Sequence, residues 1–179
     1  MTKYKIKAKW RNSMIDYRKE AEELYKEIIG KIKYKPMVYK STDDFKILSK
    51  GQLLGRKFAI ISRYGDYPAA YVSMKPTEKS ISTHYEVDYD IDVHGGDIYN
   101  NIGAYWDKPD DKPDNDYYIG WDYCDYGDFC GSDFYHRDNE KKWTTEEIIK
   151  DVIYVILQLN DCEWVDVSEP KYAYRIKSE

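Results

Sequence analysis

The chain is poor in the residues and segments that mark several large classes of protein. Three cysteines are an odd number with no dense framework, which argues against a disulfide-stapled secreted domain and predicts reduced thiols in a cell interior. No apolar run has the length of a signal sequence or a membrane span, so we expect neither. No glycine-rich loop has P-loop or Rossmann spacing, so ATP and NAD have no support. We expect a cytoplasmic protein without a cofactor.

Phenylalanine is also scarce, with four residues against twenty tyrosines and five tryptophans. Tyrosine and tryptophan keep a polar group that needs water or a partner, so many of these side chains belong at surfaces or half-buried positions. A chain of 179 residues is long enough for one core. We therefore expect a single domain over residues 1–179.

Charge is distributed very unevenly along the chain. Residues 1–79 carry 19 basic and 9 acidic side chains, whereas residues 80–140 carry 3 basic and 16 acidic ones. Clustered like charge steers association but costs self-repulsion in the folded state. The distribution favours a charged macromolecule as partner over a small neutral substrate.

The spacing of apolar residues predicts an α+β fold. Helical periodicity covers residues 13–30, with Ser13 placed as N-cap, and resumes after a capping box formed by Thr144 and Glu147. A short helix is predicted over residues 42–50, ended by a glycine. Strands are predicted over residues 3–10, 57–63, 69–74, 85–93, 117–121, 164–167 and 172–176. We expect a mostly antiparallel twisted sheet of about five to seven strands with two main amphipathic helices.

The predicted strand over residues 85–93 alternates apolar residues with carboxylates, which places four acidic side chains in a row on one face. An acidic loop and two aromatic residues follow it. The residues predicted to bind a partner are Glu86, Asp88, Asp90, Asp92, Tyr105, Trp106, Asp107, Asp110, Asp111, Asp114 and Asp116.

A second set of residues has the chemistry of a metal site. His94 precedes two glycines, and the later loop places Asp122, Asp125 and Asp128 at intervals of three. One imidazole and several carboxylates suit a divalent cation. The competing structural interpretation is that His94 orients a turn through a hydrogen bond while Asp122 and Asp128 cap backbone amides.

Cysteine and lysine patterns supply two further alternatives. Cys124 and Cys130 can pair or, with His136, bind zinc, but their spacing is wider than in ordinary zinc fingers. The predicted first strand carries a basic stripe that is compatible with phosphate contacts, although a solvated edge strand that uses lysine to resist aggregation explains it as well or better. The nucleic-acid-binding candidates on this stripe are Lys3, Lys5, Lys7, Lys9 and Arg11.

Several segments together resemble a family of small proteins that is common in bacteriophage genomes. They are Ala-Tyr-Val-Ser-Met-Lys-Pro at 70–76, Asp-Val-His-Gly-Gly at 92–96, Ile-Gly-Trp-Asp at 119–122 and Gly-Asp at 127–128, within residues 56–160. Family members of this kind carry segments like VHGGLTF and GFDxAHxGD. Here Asp125 stands where the second histidine is expected, and residues 97–99 replace the Leu-Thr-aromatic part.

In size and charge the chain is also similar to type II anti-CRISPR proteins, which block Cas9. The resemblance implies a non-enzymatic counter-defence protein in a bacterial host cell. Its acidic, aromatic face would bind a basic nucleic-acid-handling enzyme, such as Cas9 or its guide complex, as a mimic of nucleic acid. Two alternatives stay open, which are a metal-dependent enzyme centred on His94, Asp122 and Asp128, and direct nucleic-acid binding by the basic strand. No membrane partner is expected.

Overall fold

The computed structural model describes residues 6–10, 16–75, 91–95, 99–102, 117–131 and 139–166. For residues 6–10, 99–102, 117 and 162–166 it describes the backbone alone. The elements, in chain order, are β1 (Ile6–Trp10), α1 (Tyr17–Ile28), β2 (Lys46–Leu53), β3 (Arg56–Arg63), β4 (Tyr67–Ser73), β5 (Tyr99–Ile102), β6 (Tyr117–Asp122), α2 (Thr145–Asp161) and β7 (Cys162–Asp166). A short 3-10 turn, Ile29–Lys31, extends α1.

The main sheet has the strand order β2-β3-β4-β6-β5, and every neighbouring pair is antiparallel. Its register places Phe58 opposite Val72, and Val72 opposite Ile119. Because side chains alternate along a strand, Phe58, Val72 and Ile119 face one side of the sheet and belong to one buried cluster. Ala59, Tyr71 and Tyr118 form a second, separate buried cluster. The α+β fold class is confirmed.

Helix α2 covers the first face of this sheet. Its apolar stripe is completely buried and belongs to the same cluster as the sheet ladder. The stripe consists of Ile148, Ile149, Val152, Ile153, Val155, Ile156 and Leu159. The predicted capping box is confirmed, since the Thr144 amide donates to Glu147 Oε2 at 2.9 Å and the Glu147 amide donates to Thr144 Oγ1 at 3.3 Å.

Two predictions about the helices were wrong. The segment predicted as a helix at 42–50 is largely part of strand β2, because its backbone groups pair with β3 and long-range pairing overrides a local capping signal. The N-cap of α1 is Asp16 rather than Ser13: Asp16 Oδ1 accepts the Lys19 amide at 3.1 Å. Ser13 lies outside the described residues.

The strands divide between two sheets rather than forming one. β1 and β7 make a separate antiparallel pair, with Ile6 opposite Asp166 and Trp10 opposite Cys162. The N-terminal strand therefore pairs with the strand that follows α2. The predicted strand at 172–176 lies outside the described residues, as does most of the one at 85–93, whose described residues 91–93 are not in a strand. None of the helices in the described ranges is both long and apolar enough to cross a bilayer.

Candidate metal centre

The loop that leaves β6, residues 123–131, is closed into a small ring by a disulfide between Cys124 and Cys130, with 5.0 Å between their α-carbons. The prediction of reduced thiols was wrong for these two cysteines. The sequence signal for pairing was present, since only five residues lie between the two cysteines, but the expected reducing compartment outweighed it. The bond also argues against the zinc alternative, because neither bonded sulfur is a thiolate. His136 lies outside the described residues.

This ring carries a buried aspartate that bonds to His94. Asp128 Oδ2 lies 2.6 Å from His94 Nε2, and the Asp128 side chain is only 5% exposed. The same oxygen accepts the Asp125 amide at 3.2 Å, and Oδ1 accepts the Trp143 indole N–H at 2.8 Å. Asp128 is therefore held in one orientation by three groups from different parts of the chain.

Asp125 adds a second carboxylate to the pair. Its Oδ2 lies 3.9 Å from His94 Nε2. One ligand atom from each of His94, Asp125 and Asp128 falls within 4.8 Å of the other two, which is close enough for all three to hold one ion. Gly95 makes this approach possible, because an ideal Cβ on Gly95 would lie 1.7 Å from Asp125 Oδ2.

The structure does not bring Asp122 into this cluster. Its Oδ1 accepts the Cys124 amide at 3.2 Å, at the point where the chain leaves β6. The structural roles expected in the competing interpretation are therefore observed: His94 bonds to a carboxylate, and Asp122 and Asp128 accept backbone amides. These bonds also position His94, Asp125 and Asp128 as a possible ligand set.

His94 reaches the ring because buried α2 holds the segment 91–95. Gln158, which is 1% exposed, accepts the Asp92 amide at 2.8 Å and donates to the Asp92 carbonyl at 2.9 Å. Ile91 and Val93 are buried on either side of this contact. A polar residue inside the apolar stripe of α2 was the sequence signal for such a contact, and our reading of the sequence missed it.

Aromatic rings surround the imidazole. The His94 ring stacks on Tyr123, with 4.7 Å between centroids and 14° between planes, and the Trp143 ring lies 4.7 Å away at 65°. These rings restrict the orientation of the imidazole. Sequence reasoning missed both Tyr123 and Trp143, because nothing in their local sequence shows which distant residue they contact.

Beneath these rings lies a buried polar chain. The Trp121 indole N–H donates to the Tyr123 hydroxyl at 3.0 Å, and that hydroxyl donates to Asp151 Oδ2 at 3.0 Å. Burial raises the pKa of the Tyr123 hydroxyl, and nearby Asp151 adds to this effect. Burial also raises the pKa of the Asp151 carboxyl, although the bond from Tyr123 opposes it. The Asp151 carboxylate of this network was not among the site residues predicted from the sequence.

The three possible ligands form a gradient of exposure. Their side chains are 5% exposed for Asp128, 22% for His94 and 38% for Asp125. Tyr126, beside Asp125 in the ring, is 88% exposed. An ion held by this set would have protein on the Asp128 side and solvent on the Asp125 side. Structural zinc sites are closed by four protein ligands, whereas catalytic sites keep a position for water.

The predicted acidic face is described at one residue only. The Asp92 side chain is 59% exposed, but its carboxylate accepts Arg18 at 2.9 Å and the Tyr154 hydroxyl at 2.7 Å. The Asp92 carboxylate therefore already forms an ion pair with Arg18 of the same chain. The other predicted partner-binding residues lie outside the described ranges, as do Lys3, Lys5 and Arg11, and only the backbone is described for Lys7 and Lys9.

No family model, curated protein or solved structure matches this chain. The resemblance to phage proteins therefore stays a hypothesis based on short segments of sequence.

Proposed function

We propose that this protein is a metal-dependent enzyme in which His94, Asp125 and Asp128 hold a divalent ion. The observation that carries the proposal is the convergence of these three side chains, which come from two separate segments of the chain, within 4.8 Å. It is supported by the bonds from Trp143 and the Asp125 amide to Asp128, because metal-ligating carboxylates are commonly oriented by such partners.

The chemistry of the ligand set narrows the choice of ion. One imidazole nitrogen with two carboxylates suits zinc or manganese, since calcium and magnesium prefer oxygen ligands alone. His94 would hold the ion through a ring nitrogen, with the imidazole proton on the other nitrogen, and Asp125 and Asp128 would each hold it through a carboxylate oxygen. Two carboxylates would then balance the charge of the ion.

The exposed side of the set is where a reaction would take place. An ion held by His94, Asp125 and Asp128 would keep a position for water and would supply Lewis-acid chemistry by lowering the pKa of that water. The half-exposed Asp125 lies at this open side. The proposed reaction class is metal-assisted hydrolysis.

The test uses metal-free protein titrated with Zn²⁺ and Mn²⁺ by calorimetry. We expect one ion per chain, and a loss of affinity of about 10-fold or more in Asp125→Asn and Asp128→Asn. Asp122→Asn is the matched control, because asparagine keeps an oxygen for the Cys124 amide and Asp122 is outside the cluster. Absence of stoichiometric binding, or equal losses in all three variants, would refute the site.

Catalysis needs its own measurement. Hydrolysis of p-nitrophenyl phosphate, bis-p-nitrophenyl phosphate and p-nitrophenyl acetate should depend on the added ion for at least one ester. The same activity should disappear in Asp125→Asn and persist in Asp122→Asn. An activity that survives both chelation and Asp125→Asn would come from another source.

The counter-defence role is a second candidate, and one observation favours it. Asp92 is exposed between buried Ile91 and Val93, which is the alternation that a carboxylate row requires. We propose that this row binds a basic nucleic-acid-handling protein such as Cas9, with an affinity that falls as salt rises.

Charge variants at this row test the second candidate. Replacing Asp88, Asp90 and Asp92 by Asn should weaken binding to Cas9. Arg18→Gln is the opposite control, because it removes the cation next to Asp92 and should strengthen binding. Unchanged binding by the triple variant would eliminate this role.

A further inference from the structure

Positive charge is concentrated in β2 and in the segment that precedes it. Residues 31–50 contain six lysines and two aspartates. All six lysines are exposed: Lys31, Lys33, Lys35, Lys40, Lys46 and Lys50. Clustered positive charge at a surface costs self-repulsion in the folded state and attracts polyanions. This part of the chain therefore has the electrostatic character of a phosphate-binding surface.

Exposed aromatic rings accompany these lysines. Phe45 is 45% exposed and Tyr64, in the turn after β3, is 46% exposed. Their rings lie against each other, with 5.2 Å between centroids and 34° between planes. Tyr34, between Lys33 and Lys35, is exposed as well. Aromatic side chains among exposed cations are typical of surfaces on which nucleic-acid bases stack.

Backbone hydrogen bonds bring the lysines and the aromatic rings onto one edge of the molecule. β2 is the terminal strand of the main sheet. The preceding segment runs along its outer side, where the Lys35 amide donates to the Leu48 carbonyl at 2.7 Å. It then reaches the turn after β3, where the Thr42 amide donates to the Tyr64 carbonyl at 2.6 Å. We call this surface the β2 edge, comprising residues 31–50 and Tyr64.

We propose that the β2 edge binds single-stranded nucleic acid, with its lysines on the phosphates and the Phe45–Tyr64 pair stacked on bases. A single strand fits better than a duplex, because the base faces of a duplex are already covered by stacking. Asp43 and Asp44 are the acidic exceptions within this surface. The site differs from the basic stripe predicted on β1 and does not depend on the metal centre.

The test measures the fluorescence anisotropy of labelled oligothymidylate and oligouridylate of about 20 nucleotides, which is longer than a typical single-strand site. Salt is kept low because the whole chain carries a formal net charge of −5. EDTA is present, so that the result is independent of the proposed metal-dependent function. We expect binding to at least one strand and weaker binding to the oligothymidylate–oligoadenylate duplex. Absence of binding to both strands, or equal binding to the duplex, would overturn the proposal.

Variants of the aromatic pair test the stacking. Phe45→Ala and Tyr64→Asn should each weaken binding by about 5-fold or more, as expected when a base loses a stacking partner. Tyr64 has a φ of 56°, which Asn adopts readily, so this variant serves if Phe45→Ala does not fold. Leu54→Asn is the matched control: Leu54 is 45% exposed, has a φ of 49° and lies at the opposite end of β3. Equal losses in Leu54→Asn, or no loss in the aromatic variants, would overturn the stacking and with it the proposal.

Charge variants test the phosphate contacts. Lys33→Gln and Lys46→Gln should each reduce the slope of log K against log salt concentration by about 0.7, the value for one phosphate contact of a single strand. Lys19→Gln removes the same charge from the first turn of α1 and should leave the slope nearly unchanged. The same slope in wild type and all three variants would contradict the proposed role of the lysines.

An acidic protein segment is the competing partner for a basic surface. Labelled polyglutamate has the negative charge of such a segment but no bases. We expect it to bind more weakly than the single strands, with an affinity that Phe45→Ala does not change. Polyglutamate that binds as tightly as the single strands would show that the β2 edge recognises charge alone, and would overturn the assignment to nucleic acid.

Discussion

Asp125 packs its carboxylate directly against the α-carbon of Gly95. An ideal Cβ at Gly95 would lie 1.7 Å from Asp125 Oδ2, and Gly95 has a φ of 74°. Two independent reasons therefore favour glycine here, which are the left-handed backbone and the close approach of the carboxylate. This contact joins the segment that carries His94 to the disulfide ring.

Alanine substitutions should separate the effects of these two constraints on the free energy of unfolding. We expect Gly95→Ala to destabilise the protein by about 2 to 4 kcal/mol in urea unfolding, because it adds a clash to the strain of a positive φ. Gly55→Ala is the matched control: its φ is 81° and its added Cβ meets nothing within 4 Å. The control should lose only about 1 to 2 kcal/mol. Equal losses would mean that the Asp125 contact is unimportant for stability.

The buried amide of Gln158 should be needed to hold the segment that carries His94. Gln158→Met keeps the length of the side chain but removes both bonds to the Asp92 backbone. We expect a loss of about 1 to 3 kcal/mol in unfolding free energy, together with weaker Zn²⁺ binding. Gln52→Met, at an exposed position of β2, should be nearly neutral. A stable Gln158→Met protein that binds zinc normally would contradict this account.

Glu147 should stabilise the protein only when it is ionised. Burial raises the pKa of its carboxyl, but bonds from the Thr144 amide and Lys141 outweigh burial and lower the pKa below 4.5. The stabilisation is therefore present above pH 4.5 and is lost as pH falls through the lower pKa of the folded state. We expect Glu147→Gln to cost less than about 1 kcal/mol at pH 7, because the side chain is 37% exposed.

Melting temperatures at several pH values check this prediction. The difference between wild type and Glu147→Gln should shrink below pH 4.5, whereas exposed Glu23→Gln should show little difference at any pH. A difference that stays constant down to pH 3 would show that ionisation of Glu147 does not contribute.

Asp151 should show the opposite dependence on pH. Burial raises the pKa of its carboxyl above 3.8 in the folded state, so the ionised form is unfavourable there. Asp151→Asn keeps an acceptor for the Tyr123 hydroxyl and removes the buried charge. We expect this variant to be more stable at pH 7 by on the order of 1 kcal/mol.

The advantage of Asp151→Asn should decrease as pH falls through the raised pKa, and it should vanish below pH 3.8, where both proteins are uncharged at this position. Urea unfolding between pH 3.5 and 7 measures it. A destabilised variant at pH 7 would mean that Arg18, His94 and Lys141 stabilise the Asp151 charge more than burial opposes it.

Local sequence was sufficient to predict the helices and strands whose pattern of apolar residues matches their burial in the fold. The capping box and apolar stripe predicted α2, and β3, β4 and β6 were predicted from short apolar runs that the sheet buries. It was insufficient for β2, because exposed lysines flank few apolar residues there and the strand is defined by pairing with β3.

The residue types at the metal centre were recognisable in the sequence, but their grouping was not. His94, Asp125 and Asp128 were candidates because imidazole and carboxylate groups bind cations and the later loop spaces its aspartates closely. Asp122 fitted the same pattern equally well. Only the tertiary structure separated Asp122, which caps the Cys124 amide, from Asp125, which faces His94. The physical reason is that spacing along the chain determines which residues share a loop, whereas the disulfide, Gly95 and the contact from Gln158 determine where that loop meets the segment containing His94.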